Sequence, residues 1–129
     1  MTTMETRDQL LRQLRPEITL PAVPTSEVEA FQHQVLRPIL KFQHVTLVRI
    51  FEAHLEEVRI KMRGKGAEER LRIISAELKG HPGLRARLLG LVLGMLTGDE
   101  LEFFFQNRSE LTRRVITLLI QRFSDAWST

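Results

Sequence analysis

The feature that most constrains this chain is an apolar helical pattern over residues 26–62, interrupted only by Pro38. Beyond the proline, apolar side chains recur at intervals of three, four or seven, which is the spacing of one face of an α-helix. They are Leu40, Leu47, Phe51, Leu55, Val58 and Met62. A helix of this length in a chain of 129 residues predicts an all-helical domain with this helix as its longest member.

The ends and the middle of this helix each have a sequence signal. Ser26 and Glu29 have the spacing of a capping box, in which each side chain bonds to the other's backbone amide. Pro38 has no N–H to donate to the Gln34 carbonyl and its ring presses on that turn, so we expect a kink there. The glycines at 64 and 66 predict the end of the helix.

The remaining segments predict further helices and no strands. Pro16, Pro21 and Pro24 make residues 16–25 an extended connector, and Thr97 with Glu100 forms a second capping box. No segment alternates apolar and polar residues with the β-branched content of a strand. Helices are predicted over residues 5–15, 67–79, 82–96 and 97–106, and from Asn107 or Ser109 to residue 127.

We therefore expect an all-α, compact bundle of about five helices with one long Pro-kinked helix. Residues 1–129 should form a single domain, in which residues 1–25 supply a short helix and a Pro-rich connector packed on the body. Residues 88–96 are apolar on nearly every side, which predicts a central, buried helix. Gly90 and Gly94 would let another helix approach it closely.

Composition narrows the possible functions and compartment. The chain has no cysteine, which excludes disulfides, thiolate zinc sites and a cysteine nucleophile and fits a reducing cytoplasm. The N-terminal residues lack the apolar core of a signal peptide. The longest apolar run, residues 88–96, is far shorter than the roughly 20 residues that cross a bilayer. We expect a cytoplasmic protein that does not enter membranes.

Basic side chains are concentrated in the middle of the chain. Residues 59–87 hold nine basic and three acidic side chains, a difference of +6, whereas the whole chain carries +3. Such a surplus could bind nucleic acid or another acidic partner. A recognition helix needs an exposed face of base-reading side chains, and the Leu-rich helix after the turn has only Arg85 and Arg87 near its start, which argues against nucleic acid.

A repeated triplet marks candidate ligand-binding residues on the long helix. Phe31-Gln32-His33 recurs as Phe42-Gln43-His44, eleven residues or about three helical turns later. Arg37 and Lys41 flank the carbonyl that Pro38 leaves free, where they could bind an anion. One interpretation is a ligand groove, with candidate residues His33, Arg37, Lys41, His44 and Phe51. The other is that the histidines border the core and the kink only wraps the helix around it.

The sequence predicts no catalytic centre, metal site or cofactor. Carboxylate–histidine pairs of the kind that hold metals in bundles need two helices. The near matches, Glu29/His33 and His54/Glu57, each lie on the one long helix. There is no Gly-rich phosphate loop and no nucleophile elbow. The interpretation therefore leans away from an enzyme.

Three consecutive phenylalanines suggest an interface. Phe103, Phe104 and Phe105 fan over about 200° of a helix, because successive residues are roughly 100° apart. A short surface helix cannot easily bury all three rings. Either the helix is wedged between layers or one ring enters a partner, most simply a second copy of the chain in a homodimer.

A resemblance accompanies these patterns. In Arg15-Pro16-Glu17-Ile18 and in the stretch Leu36-Arg37-Pro38-Ile39-Leu40-Lys41-Phe42-Gln43, the chain resembles a group of short bacterial proteins of unknown function. Some members are labelled glyoxalase, which implies a βαβββ metal fold. The sequence has neither strands nor matching ligands for that fold, so the label and its residues are not transferred.

Three functional hypotheses follow. The leading one is a non-enzymatic helical interaction or regulatory domain that self-associates or binds another protein. The alternative is a small-ligand-binding bundle with a pocket near His44 and Phe51. The third is nucleic-acid binding through residues 59–87.

Overall fold

The computed structural model describes residues 3–20 and 23–127, the side chain of Met4 excepted. This part of the chain is all-α and has no strand, which confirms the predicted fold class. It contains seven separate helices, where about five were expected. The elements are α1 (Thr3–Leu14), α2 (Glu27–Phe31), a π-helical turn (Gln32–Leu36), α3 (Arg37–Phe42), α4 (His44–Glu57), α5 (Ala67–Gly80), α6 (Pro82–Leu93), α7 (Gly98–Gln106) and α8 (Arg108–Ala126). The segment α2–π-turn–α3 is one continuous helix.

The distortion around Pro38 differs from the predicted kink. Pro38 lies in the first turn of α3, and the turn before it is π-helical, with the Arg37 N–H donating to the Gln32 carbonyl. A π-turn absorbs the missing proline hydrogen bond by shifting the bonding pattern one residue. The helix breaks further on, at Gln43, where φ is −90° and ψ is 4°. Two helices therefore replace the predicted single one.

The end of α4 also corrects the prediction. The helix ends at Glu57, before the glycines at 64 and 66. Arg59 adopts a φ of 61°, the Ile60 N–H donates to the Leu55 carbonyl at 2.9 Å, and the Arg59 N–H donates to the Glu56 carbonyl at 3.2 Å. This is a Schellman motif with arginine in the position that glycine usually occupies. Sequence reasoning missed it because no glycine marks the site.

The core is built around two rows of side chains spaced four residues apart. The row on α8 is completely buried, and the row on α6 nearly so. Helix α8 contacts α5, α6, α7 and the π-turn, so it is more central than α6. The rows are Leu111, Val115, Leu119 and Phe123 on α8, and Leu84, Leu88 and Val92 on α6.

The predicted central, buried helix over residues 88–96 is buried on one face only. Gly90 and Gly94 are exposed, and a Cβ built on Gly90 would meet no atom within 4 Å. No neighbouring helix in the described chain uses these glycines for close approach. Their face of α6 is open, and α6 is buried through one stripe only.

Polar contacts tie the N-terminal segment to the loop between α6 and α7. Arg15 donates to both carboxylate oxygens of Glu100, at 2.7 and 2.5 Å, and to the Met95 carbonyl. Arg7 and Asp8 bond to backbone groups of the same loop. Burial raises the pKa of Glu100, but the hydrogen bonds and charge of Arg15 and the bonds from Thr97 outweigh it, so this pKa is lowered. Pro21 of the predicted connector lies outside the described residues.

Of the predicted helix caps, one is complete, one is changed and one does not form. Thr97 and Glu100 form the complete capping box of α7. Ser26 accepts from the Glu29 amide at 3.1 Å, whereas the Glu29 carboxylate bonds to Thr25. Asn107 precedes α8 but donates to the Phe103 carbonyl. Among these helices, none is long and apolar enough to cross a membrane.

Candidate functional site

A cleft lies where the α3–α4 junction meets the C-terminal half of α8. Its volume is about 360 Å³, within the range of pockets that hold small molecules. Arg37 and His44 come from the broken helix, and Arg122 comes from α8. The other lining residues are Leu40, Leu118, Gln121, Asp125 and Ala126. The cleft is thus lined by both apolar and cationic side chains.

His44 is held as a neutral imidazole in this cleft. An Arg122 Nη donates to His44 Nδ1 at 3.2 Å, since a guanidinium has no acceptor. Burial lowers the pKa of His44, and the positive charge of Arg122 lowers it further. At neutral pH, His44 therefore carries its proton on Nε2 and can donate one hydrogen bond from there.

Arg122 has an excess of positive charge around it. Burial lowers the pKa of Arg122, the charge of Arg37 lowers it further, and Asp125 raises it. Arginine remains protonated all the same. One carboxylate faces two guanidinium groups in the cleft, and Asp125 also accepts a hydrogen bond from Gln121 at 3.1 Å. The local field therefore favours an added negative charge.

A hydrogen bond to His33 orients Arg37, and the Glu29 carboxylate lies near the far side of the His33 ring. Its Nε donates to His33 Nδ1 at 3.0 Å, and His33 Nε2 lies 3.7 Å from the Glu29 carboxylate. A hydrogen bond from the Thr25 hydroxyl is the first reason that the pKa of Glu29 is lowered. His33 is buried and lies outside the cleft lining, so its place is behind Arg37.

The structure places the other two predicted ligand residues elsewhere. Lys41 is exposed and does not line the cleft. Phe51 is completely buried and stacks on Phe123 with ring centroids 4.7 Å apart. Neither can contact a ligand in the cleft as it stands. Arg37 and His44, both predicted ligand residues, line the same cleft. Sequence reasoning missed Arg122, which is distant in sequence and has no local signal.

The three phenylalanines have three different environments. Phe104 is buried, and Phe103 packs on Phe31 with centroids 4.9 Å apart. Phe105 is 42% exposed, with the Arg108 guanidinium 4.9 Å from its ring centre. Only Phe105 is therefore available to a partner.

Some of the basic residues in the segment 59–87 serve the fold. Arg85 donates to the Leu78 and Lys79 carbonyls at the end of α5, and Arg70 donates to the Lys65 carbonyl. These bonds satisfy free carbonyls at helix ends and loops. Nucleic-acid binding by the segment stays a prediction, and the geometry adds no support to it.

A second cluster of titratable side chains joins two helices that sequence reasoning had not connected. His54 Nε2 on α4 lies 2.9 Å from Glu77 Oε1 on α5, and His81 Nε2 lies 3.2 Å from the same oxygen. The three groups could together hold a metal ion. In the sequence, His54 was compared with Glu57 on its own helix, whereas its carboxylate partner in the structure is Glu77. The spacing of Glu77 and His81, four residues apart, was the available signal.

Comparisons of the chain with protein-family models, with curated proteins and with solved structures give no match. The function is therefore argued from the geometry of the chain itself.

Proposed function

We propose that this protein is a non-enzymatic helical module that binds a small organic anion in the cleft between Arg37, His44 and Arg122. One observation carries the proposal: two guanidinium groups and an imidazole line the same cleft, together with a single carboxylate. Guanidinium groups recognise carboxylates and phosphates with paired hydrogen bonds.

The shape of the cleft supports a small amphipathic ligand. Leu40 and Leu118 supply apolar contact, and Arg37, His44 and Arg122 supply positive charge and hydrogen-bond donors. A carboxylate or phosphate bound there would relieve the repulsion between Arg37 and Arg122 and accept the His44 Nε2 proton. His33 would not touch the ligand, but its hydrogen bond with Arg37 would hold that guanidinium in place during binding.

The test is a thermal-shift screen of small carboxylates and phosphates, followed by calorimetric titration of the best binder. We expect Arg122→Gln to weaken binding by about 10- to 100-fold, because hydrogen bonds to charged groups contribute about 1.5–3 kcal/mol. Arg37→Gln should have a comparable effect.

Two matched variants also remove one positive charge each. Lys41→Gln lies on the same helix as Arg37, and Arg113→Gln lies on the same helix as Arg122, but both residues are exposed and outside the cleft. Both should lose much less affinity than the cleft variants, since exposed side chains outside the lining make no hydrogen bond to the anion and their charges are screened by water and salt. Equal losses in all four variants, or no binder in the screen, would reject the proposal.

Self-association is a second candidate, and the exposure of Phe105 favours it. Phe103 and Phe104 are taken up by the fold, so the large ring that remains outside on α7 is available to a second copy of the chain. We expect a dimer in light scattering at micromolar concentration. Phe105→Ser should shift it to monomer, whereas Leu71→Ser, which removes a comparably exposed side chain from α5, should not. A monomeric parent protein would reject this candidate.

A further inference from the structure

We propose that His54, Glu77 and His81 form a binding site for one divalent transition-metal ion, of the class of Zn²⁺. Nothing in the cleft at Arg122 is needed for this site, and it stands independently of the anion proposal.

The arrangement of the three ligand atoms is that of a metal site before the metal arrives. Both imidazole Nε2 atoms point at one carboxylate oxygen, at 2.9 and 3.2 Å, and all three atoms lie within 4.8 Å of one another. Zinc–ligand bonds of about 2.0–2.2 Å in a tetrahedron place ligand atoms roughly 3.3–3.5 Å apart. Small side-chain movements would therefore convert the cluster into three coordinating bonds.

The proton balance of this conversion is simple. Each Nε2 faces a carboxylate oxygen, which can only accept, so each neutral imidazole carries its proton on Nε2. On binding the metal, each ring would change tautomer by proton exchange with water: Nε2 gives up its proton and coordinates the ion, and Nδ1 takes one up, so no net proton is released. The ion would replace two hydrogen bonds to Glu77 with bonds from three ligands, and the carboxylate would supply one negative charge.

The fold holds two of the three side chains firmly. His54 is buried, and its ring packs beside Phe51 with centroids 6.2 Å apart. The side chain of Glu77 is 16% exposed, whereas that of His81 is 44% exposed. The rings of His54 and His81 meet edge to face, with centroids 4.6 Å apart. Preorganised ligands reduce the entropic loss on binding, and the more exposed His81 leaves a path for the ion to enter.

The coordination sphere would remain open on one side. A shallow cleft of about 300 Å³ lies beside His54 and His81, and Glu57 and Arg87 line it as well. Three protein ligands with a free position are typical of zinc sites that bind a water molecule or an exogenous ligand. Two histidines and one carboxylate also suit Fe²⁺, Co²⁺ and Ni²⁺, so the donor set defines a class of ion and zinc serves as the probe.

The test uses full-length chain without a polyhistidine tag, freed of metal by chelation and dialysis. Titration with Zn²⁺ in a calorimeter, and with Co²⁺ followed by visible absorption, should show one ion per chain. Because the chain has no cysteine, thiolates cannot contribute to either signal. The midpoint of thermal unfolding should rise with Zn²⁺, since a ligand that binds the folded state stabilises it.

Variants of the three ligands separate this site from surface binding. Glu77→Gln and His81→Asn should each weaken zinc binding by at least about 10- to 100-fold, the loss seen for residues that only support a metal ligand. His44→Asn and Glu68→Gln are the controls, because the first removes a histidine of the anion cleft and the second an exposed carboxylate of α5 that lies outside the site and its cleft. Both should bind zinc as the parent does.

Because His54 is buried, His54→Gln is informative only if its helical circular-dichroism spectrum is unchanged. The conclusion does not depend on that variant, since Glu77→Gln and His81→Asn test the site. Failure of the parent chain to bind one Zn²⁺, or equal binding by parent, Glu77→Gln and His81→Asn, would overturn the proposal.

Discussion

His44 and His54 lie ten residues apart on the same helix, α4, and their surroundings have opposite charge. His44 accepts a hydrogen bond from Arg122, and cations surround it. His54 faces the Glu77 carboxylate and a second imidazole. The same residue type therefore lines the proposed anion cleft in the first region and the proposed cation site in the second. The partner helix, α8 or α5, makes the difference.

The largest expected effect comes from Phe51, which lies between the two regions. Its ring stacks on Phe123 of α8 and packs beside His54. Phe51→Ala should lower the free energy of unfolding by about 3–5 kcal/mol, measured by urea denaturation. At temperatures where the variant is folded, zinc affinity should fall as well, because the His54 ring loses a wall.

Phe51→Leu is the matched variant, since it retains most of the volume and should lose no more than about 1.5 kcal/mol. Similar stabilities for the alanine variant and the parent would show that the two regions do not share a close-packed wall.

The next effect concerns Arg15, a largely buried arginine with a carboxylate partner of its own, whereas Arg37 and Arg122 share the single carboxylate of their cleft. Arg15→Gln leaves Glu100 without its ion-pair partner, and it should destabilise the chain by about 3 kcal/mol. Arg12→Gln, an exposed change on α1, should be nearly neutral. Urea unfolding of both variants measures the difference.

The same pair predicts a pH dependence. The pKa of Glu100 is lower in the folded chain than in the unfolded one, so its ionised form stabilises the fold above the unfolded value of 4.5. That contribution is lost as the pH falls through the folded pKa. The loss below pH 4.5 should be smaller in Arg15→Gln; an identical acid profile would contradict the assignment.

A smaller, stabilising effect is expected at the end of α4, about four turns from His44 and close to His54. Arg59 has a positive φ, which is unfavourable by roughly 1–2 kcal/mol for an L-residue. Arg59→Gly removes that strain but adds freedom to the unfolded chain, so we expect a gain of about 0.5–1 kcal/mol.

Arg63→Gly, which is also exposed but lacks a positive φ, provides the comparison and should not stabilise. Anion binding at the His44 cleft should be unchanged in both. A loss of stability in Arg59→Gly would show that the arginine side chain contributes more than the backbone strain removes.

The smallest effect is the pH response of His44. Its folded pKa lies below the ordinary 6.5, so the unfolded chain binds a proton more readily, and stability should decline as the pH falls below about 6.5. His44→Gln should flatten that part of the thermal midpoint curve. A bound anion favours the imidazolium, so anion affinity should rise over the same interval. A parent curve that rises on acidification would contradict the arrangement.

Sequence patterns predicted much of the local structure and only part of the candidate site. The capping box at Thr97 and the apolar rows on α6 and α8 depend on residues three or four apart, so they can be read from one segment. Arg37 and His44 were singled out because both fall in the predicted long helix, where Arg37 precedes Pro38 and His44 belongs to the repeated triplet. Arg122 was missed because its contact with His44 spans 78 residues. Glu77 was missed for the same reason.

The helix break at Gln43 and the helix end before Arg59 show a second limit of prediction from sequence: helix boundaries. Pro38 correctly indicated a distortion, but packing decided that a π-turn would absorb it and that the helix would break later. Arg59 occupies a position normally held by glycine, and its strain is tolerated because the Ile60 and Arg59 amides find carbonyl partners in α4. Local propensity gives no warning of such a stop.

The sequence by itself determined that this chain is helical, because apolar periodicity and caps act within a few turns. It also determined that no thiolate can serve any site in it. The tertiary structure alone decided that one histidine of α4 would face arginines and another a carboxylate. The environment of each histidine depends on which helices pack together. Helix packing is set by the burial of whole apolar faces, and short-range sequence patterns do not encode it.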